Sequence, residues 1–201
     1  LAIRENLHPE RLRSCGREGF VTTIRIVDPA GNLVPQDNKT PGEIIVKSKA
    51  NMLGYFGRPD LTDQTIRDGW MWTGDIATWD SEGYCYIVDR AKDMIISGGE
   101  NIYSTEVENA IYQLKNVLEC AVIGIPDEKW GEAVHAIIRL KENTSIDEKE
   151  VIEHCHKNIA GFKCPKSVSF RETPMPVSGA GKILKTELRK PFWKDQSKQV
   201  N

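Results

Sequence analysis

The chain has 201 residues, 39% of them hydrophobic and 28% charged, with a formal net charge of −2. That length can bury a real core in one or two domains. The near-neutral charge balance argues against nucleic acid as a partner, and no apolar run approaches the ~18 residues of a membrane helix.

In chain order, residues 1 to about 90 read as β-rich. The first ~15 residues show no core pattern. Val21 to Val27 reads as a strand, followed by the turn Asp28-Pro29-Ala30-Gly31-Asn32. Pro41-Gly42 opens a second strand, Glu43 to Ser48, and Asp68-Gly69 makes a hairpin-like turn before Trp70-Met71-Trp72. Asp80-Ser81-Glu82-Gly83 turns the chain into Tyr84 to Asp89. Short strands broken by turn signals predict a small barrel or sandwich.

After Lys92 the pattern becomes mixed α and β. A second apolar strand around Met94-Ile95-Ile96 runs into the glycine pair Gly98-Gly99. Thr105-Glu106-Val107-Glu108 fits a capping box, with Val107, Ala110, Ile111 and Leu114 at helical spacing. Glu119 to Ile125 and Val134 to Leu140 read as strands. Ser145-Ile146-Asp147-Glu148 fits a second capping box, for a helix ending near Gly161. Ser167 to Arg171 is a further strand, and Thr173 to Gly181 is a Pro-, Gly- and Ser-rich flexible loop. The last predicted helix, Ile183 to Phe192, should be cut short by Pro191. The best single domain boundary lies near residues 90–93. The basic tail, Arg189, Lys190, Lys194 and Lys198, reads as a solvated end.

Five cysteines, Cys15, Cys85, Cys120, Cys155 and Cys164, are scattered without a Cys-x-x-Cys pair. Free thiols are expected, in the cytoplasm or another reducing compartment such as the mitochondrial matrix. His154-Cys155-His156 does not read as a metal site, because residues two apart on a helix do not share a face.

Several residues could carry chemistry. In Trp72-Thr73-Gly74-Asp75 the glycine permits a bend, and Asp75 either tightens that turn or accepts hydrogen bonds from a ribose diol. Arg90 ends a strand next to Asp89. It either pairs locally or offers its fork to phosphate or ribose oxygens. Lys92, two residues on, reads alone as a surface lysine. Gly98-Gly99 is either a plain turn or a point of close backbone approach to a ligand. Lys182 follows a loop that could fold over an anion.

Together and in this order, these motifs resemble the adenylate-forming superfamily, which includes acyl-CoA synthetases, luciferases and peptide-synthetase adenylation domains. The matching pieces are Gly42-Glu43-Ile44, Met52-Leu53-Gly54-Tyr55, Gly69-Trp70 with Trp72-Thr73-Gly74-Asp75, and Asp89-Arg90-Ala91-Lys92-Asp93. Ser97-Gly98-Gly99-Glu100-Asn101 with Glu106-Val107-Glu108, and Gly181-Lys182-Ile183, complete the set. The glycine segment is most similar to that of fatty- and aryl-acid CoA ligases.

The resemblance implies an α+β fold: the β-rich end of a large nucleotide-binding domain (a distorted barrel, residues 1–90), then a small mobile mixed α/β domain (residues 91–201). It implies a carboxylic acid, ATP with Mg2+, and CoA as reactants. Asp75 would hold the ribose hydroxyls and Arg90 would bind near the same nucleotide. Lys92 would be the hinge, and Gly98 and Gly99 would line the pantetheine path. Lys182 would act at the carboxylate and α-phosphate. Phe162-Lys163-Cys164-Pro165-Lys166 resembles a segment that meets the CoA nucleotide in some relatives. There Phe162 would stack on adenine, unless it is core, and Lys166 would face a phosphate. Cys164 stands where those relatives carry a basic residue. The family's Ser/Thr/Gly-rich phosphate loop and Tyr-Gly-x-Thr-Glu motif are absent, so the chain resembles a C-terminal portion expected to be inactive alone. A domain that loads a carrier protein, and a non-catalytic module on the same fold, are the alternatives.

Overall fold

A computed structural model describes residues 9–194; Lys198 of the basic tail lies outside them. The chain divides into two compact units, Leu1–Ala91 and Lys92–Asn201.

The first unit is a curled, five-stranded antiparallel sheet. Its strands are β1 (Thr22–Val27), β2 (Gly42–Ser48), β3 (Ile66–Arg67), β4 (Trp70–Trp79) and β5 (Cys85–Arg90), with a short helix α1 (Pro59–Thr65) before β3. β4 is long enough to pair along one edge with β2 and along the other with both β3 and β5. Alternate residues point inward, as strand geometry requires. Ile26, Val34, Ile44, Ala77 and Cys85 form the buried cluster, with Ile24, Val46 and Trp79 against it. Gly42 is required here, because a Cβ would sit 2.5 Å from the Val27 carbonyl oxygen.

The second unit contains β6 (Ile95–Ser97), β7 (Glu100–Ile102), α2 (Ser104–Ile111), β8 (Val117–Asp127), β9 (Gly131–Leu140), α3 (Glu148–Asn158), β10 (Ser167–Phe170) and α4 (Lys185–Trp193). β9 is the central strand. β8 occupies its whole length on one edge, while β6 pairs at Gly131 and β10, in parallel, at His135 to Ile138 on the other. The period of two divides the core. Cys120, Val122, Val134, Ala136 and Ile138 face Val107, Ala110 and Ile111 of α2 and Val151 and Cys155 of α3. Ala121, Ile123 and Ile137 face Met175 and Leu188, with Ile183 beside them. One sheet face therefore carries α2 and α3, and the other carries α4 and the loop before it.

Four expected helix boundaries moved. Thr105 does not cap α2: the helix starts at Ser104 with Tyr103 at the N-cap and no side-chain cap bond. The carboxylates that would complete a box are drawn into tertiary pairs instead, Glu106 with Lys163 and Glu108 with Lys185. The second box exists but is displaced by two residues. Asp147 Oδ1 accepts from the Glu150 amide at 2.8 Å, and Glu150 Oε2 accepts from the Asp147 amide at 3.1 Å. α3 then ends at Asn158 rather than near Gly161, and a 3-10 turn, Gly161–Lys163, follows. Pro191 does not stop α4, which runs on to Trp193. The ring forfeits one backbone bond to the preceding turn, but only two helical residues follow it. Leu188 is buried and Trp193 Nε1 donates to the Gly124 carbonyl at 3.2 Å, so packing on β8 holds the final turn.

No helix among the described residues is long and apolar enough to cross a membrane.

Candidate functional site

Asp75 owes its position to a bulge. Between the pairs Glu43↔Ile76 and Ile45↔Trp72, Ile44 alone faces the three residues Thr73, Gly74 and Asp75. Gly74 takes φ +72°, a left-handed conformation that favours glycine. Three hydrogen bonds tie the displaced segment. Thr73 Oγ1 donates to the Ile44 carbonyl at 2.8 Å, the Gly74 amide to Glu43 Oε1 at 2.9 Å, and the Asp75 amide to Thr73 Oγ1 at 3.1 Å. Bulges of this kind re-aim a side chain and recur beside active sites. On the other edge of β4, Asp75 faces Arg90 in the ladder, and Arg90 Nε donates to Asp75 Oδ1 at 2.5 Å. Arg90 therefore pairs across the sheet rather than with its neighbour Asp89, whose Oδ1 accepts the Arg90 amide at 2.8 Å instead. Both members of the Asp75–Arg90 pair remain partly open to solvent, with 33% and 44% of their side chains exposed. A carboxylate with one oxygen engaged by a guanidinium, at a partly open rim, suits a diol better than a buried pair would. Glu43, which orders the bulge through Gly74, stands in the matching piece Gly42-Glu43-Ile44 but has no role legible there; its long-range bond leaves no local pattern.

Lys92 lies in the 3-10 turn Ala91–Asp93, with its side chain exposed. Its carbonyl accepts from Arg189 Nη1 at 2.8 Å, and that of Asp93 from Arg189 Nη2 at 3.4 Å. This corrects the reading of Arg189 as part of a solvated tail, since it ties α4 to this turn. Lys190 does remain at the surface, paired with Glu187.

Gly98 and Gly99 form a two-residue hairpin turn between β6 and β7, with φ of +61° and +85°. Successive left-handed residues are what a tight turn with the sheet's own twist needs. The two are not equivalent. A Cβ on Gly98 would lie 2.7 Å from Trp130 Cε3, whereas one on Gly99 meets nothing within 4 Å. The Gly98 amide donates to the Trp130 carbonyl at 2.9 Å. Trp130 itself is 45% exposed, with Lys129 Nζ 4.5 Å from its ring centroid. This aromatic wall was not singled out in the sequence, although a Trp-Gly step at a hairpin end was a visible signal.

Phe162 is not core: 48% of it is exposed, in the 3-10 turn after α3. Cys164 and Pro165 are the buried residues of that segment, with the Cys164 Sγ 3.6 Å from the Ala160 carbonyl oxygen. Cys164 points into the core and leaves Phe162 and Lys166 at the surface. Lys163, between them, is held by Glu106 at 2.8 Å. Ser97 and Ser167 pair with Gly131 and His135 on the same edge of β9. The glycine turn and the Phe162–Lys166 segment therefore lie along one edge, about 13 Å apart at the rise of a strand.

Lys182 does not follow a loose loop. The Ser178 amide donates to the Lys182 carbonyl and the Gly181 amide to the Ser178 carbonyl, both at 2.8 Å. Gly181 has φ +75°, and Val177 bridges Ile183. Lys182 thus stands on a tight hairpin whose base, Ile183, packs with Met175 and Leu188. Its side chain is exposed and makes no ion pair among the described residues. Three residues on, Lys185 turns inward, donating to Ser104 Oγ at 2.6 Å and pairing with Glu108 at 2.7 Å. Glu108 Oε1 also accepts from the Val122 amide at 2.8 Å. This nearly buried group pins the root of the Lys182 hairpin to α2 and β8.

Among the described residues, no group of three or more His, Cys, Asp or Glu could hold a metal ion.

Residues 106–182 match the family model for the AMP-binding enzyme C-terminal domain. The chain is 47% identical over 183 residues to a feruloyl-CoA synthase from an Amycolatopsis species, covering 91% of this chain and 37% of that protein. It is 46% identical over 168 residues to a long-chain-fatty-acid–CoA ligase of Yersinia pestis, covering 84% of this chain and 29% of that protein. The crystal structure of ATP-bound MatB from Rhodopseudomonas palustris superposes with a TM-score of 0.83 at 34% identity, over 92% of this chain and 37% of that one. The chain thus spans about a third of the length of these relatives.

Proposed function

We propose that this chain, which belongs to the adenylate-forming enzymes as a portion carrying their C-terminal domain, serves an ATP-dependent, AMP-forming acyl-CoA ligase. In that reaction a carboxylate attacks the α-phosphorus of ATP, giving acyl-AMP and pyrophosphate. The thiol of CoA then displaces AMP to leave a thioester. The observation that carries this reading is the ordered set Asp75, Arg90, Gly98-Gly99 and Lys182, within a chain 47% identical to a CoA ligase.

The residues would divide the work as follows. Asp75, presented by its bulge, accepts the ribose hydroxyls, and Arg90 holds its orientation and faces the same nucleotide. Lys182, a point charge on a rigid hairpin, offsets the charge that develops as the carboxylate meets phosphorus. Lys92 is the pivot. The side-chain-free Gly98-Gly99 turn passes the pantetheine arm, with Trp130 as its wall. Phe162 and Lys166, along the same edge of β9, meet the CoA nucleotide through stacking and charge. Mg2+ would accompany ATP; no described cluster fits it, and no step is assigned to it. Five free thiols suit a reducing compartment.

The test is a crossed pair of variants in the full-length enzyme. Lys182→Ala should lower ATP–pyrophosphate exchange by about 10²-fold or more while conversion of supplied acyl-AMP to acyl-CoA stays nearly intact. Gly99→Leu should do the reverse, after a check that the strain of a side chain at φ +85° has not cost the fold. Loss of the same half-reaction in both variants refutes the assignment of separate steps.

A further inference from the structure

Two of the five thiols meet in an arrangement that the ligase reading does not use. The segment before β1 pairs with the start of β5. The Cys15 amide donates to the Cys85 carbonyl at 2.9 Å, and the Cys85 amide donates to the Gly16 carbonyl at 2.8 Å. Cys15 and Gly16 thus face the single residue Cys85, as in a β-bulge. Residues opposed in a hydrogen-bonded antiparallel pair have Cα atoms about 5.5 Å apart, inside the span of a disulfide, and Cys15 adjoins that pair. Cys15 Sγ lies 3.4 Å from the Cys85 carbonyl oxygen, and Cys85 Sγ lies 3.8 Å from the Gly83 carbonyl oxygen just before it.

Their surroundings are opposite. Cys15 is exposed, whereas Cys85 is 1% exposed and packs in the core of the first unit. The Cys85 S–H donates to the Gly83 carbonyl; the Cys85 side chain, as the chief cause, brings the Cys15 thiol below its ordinary value, against the pull of burial and of nearby Asp75. The Cys85 thiol is pushed up, first by the neighbouring Cys15 and then by burial, so Cys15 is the one that ionises first. At neutral pH Cys15 is then more readily ionised than an ordinary thiol. The other three cysteines are buried, and burial pushes each thiol up.

We propose that Cys15 and Cys85 are a reversible redox pair, with Cys15 the thiol that a hydroperoxide oxidises and Cys85 the thiol that resolves it into an intramolecular disulfide. The Cys15 thiolate attacks one peroxide oxygen. The O–O bond breaks, the leaving alkoxide or hydroxide takes a proton, and Cys15 becomes a sulfenic acid. The Cys85 sulfur then attacks Cys15 Sγ. The S–O bond breaks, and hydroxide leaves as water with the Cys85 proton. The sum is two thiols and one hydroperoxide giving one disulfide, one alcohol (or water) and one further water. The link braces the segment before β1 against β5, the strand that ends in Arg90. None of this depends on the ligase reading.

The experiment exposes the intact protein to a small excess of hydrogen peroxide at pH 7, traps remaining thiols with N-ethylmaleimide, and maps tryptic peptides by mass spectrometry without reduction. The expected product joins peptide 14–17 to peptide 68–90, two hydrogens lighter than their sum, and dithiothreitol reverses it. Cys15→Ser should abolish the product, and Cys85→Ala should leave a sulfenic acid on Cys15 that reacts with dimedone. In the unmodified sequence, the linkage rate should rise with pH at lower pH than the alkylation of an ordinary thiol does, as a lowered Cys15 pKa requires. Overturning results are a Cys15 oxidised to sulfinic acid without the cross-link, or a link among Cys120, Cys155 and Cys164 that forms as fast.

Discussion

The two glycines of the β6–β7 turn should respond differently to the same substitution. Gly99→Ala places a methyl at φ +85° with nothing within 4 Å, so its only cost is the left-handed backbone. That cost is about 1–2 kcal/mol. Gly98→Ala carries the same cost at φ +61° and adds a methyl 2.7 Å from Cε3 and 3.1 Å from Cζ3 of Trp130. The ring must swing away, which strains the Gly98 amide bond to the Trp130 carbonyl. Losing a bond of that kind adds about 1 kcal/mol, for a total of about 2–3 kcal/mol. Amide hydrogen exchange of the β8 and β9 core measures the opening of the second unit directly. Gly99→Ala should speed it about 5- to 30-fold, and Gly98→Ala by several-fold more. Removing the obstacle should remove the difference. In a Trp130→Ala background the effect of Gly98→Ala should fall to that of Gly99→Ala, a coupling of about 1 kcal/mol. Equal effects of the two substitutions, or a Gly98→Ala penalty indifferent to Trp130, would refute the argument that the ring sets the tolerance of this turn.

Other perturbations follow from the same geometry. Lys185→Met breaks a pair whose side chains are only 11% and 15% exposed, and should destabilise the second unit by about 3 kcal/mol in exchange or denaturant titration. Adding Glu108→Gln should restore at least half of that loss, because the stranded charge is gone. Arg189→Ala frees the carbonyls of Lys92 and Asp93, and trypsin should cut after Lys92 several-fold faster, with Arg189→Lys in between. His135 is buried between Ser167 and Ser169 and beside Phe192, and burial lowers its pKa below 6.5. As pH falls below 6.5 the unfolded chain takes up the proton first, so the second unit should lose stability from there downward. His135→Gln should flatten that slope; an unchanged slope in a pH series of melts would count against a buried neutral imidazole.

Much of this protein was legible in order and period. Turn residues such as Asp28-Pro29-Ala30-Gly31 and Asp68-Gly69, and the alternation of Cys120, Val122 and Val134, Ala136, Ile138, located strands because those signals are local. The ordered motifs from Trp72 to Lys182 pointed to the family for the same reason: each is a short string. The sequence did not distinguish Gly98 from Gly99, since only the neighbouring Trp130 makes them unequal. It placed Phe162 ambiguously and said nothing of Cys164's direction, because a turn of three residues has no period from which to read a face.

What the sequence by itself determined, then, is most of the succession of elements, though not the helix Pro59–Thr65 or the strand Glu100–Ile102, together with the glycine turns and the candidate residues Asp75, Arg90, Lys92 and Lys182. Only the tertiary structure decided how those residues are held. Asp75 needs Glu43 and Arg90 from two other strands, Lys182 needs the Lys185–Glu108–Val122 group beneath its hairpin, and the Lys92 turn needs Arg189 from the last helix. The physical reason is one of range. A turn or a strand is specified by backbone preferences within a few residues. A side chain's partner is chosen by which charges, amides and carbonyls the packed structure brings within hydrogen-bond reach, and in this chain that reach spans up to 97 positions.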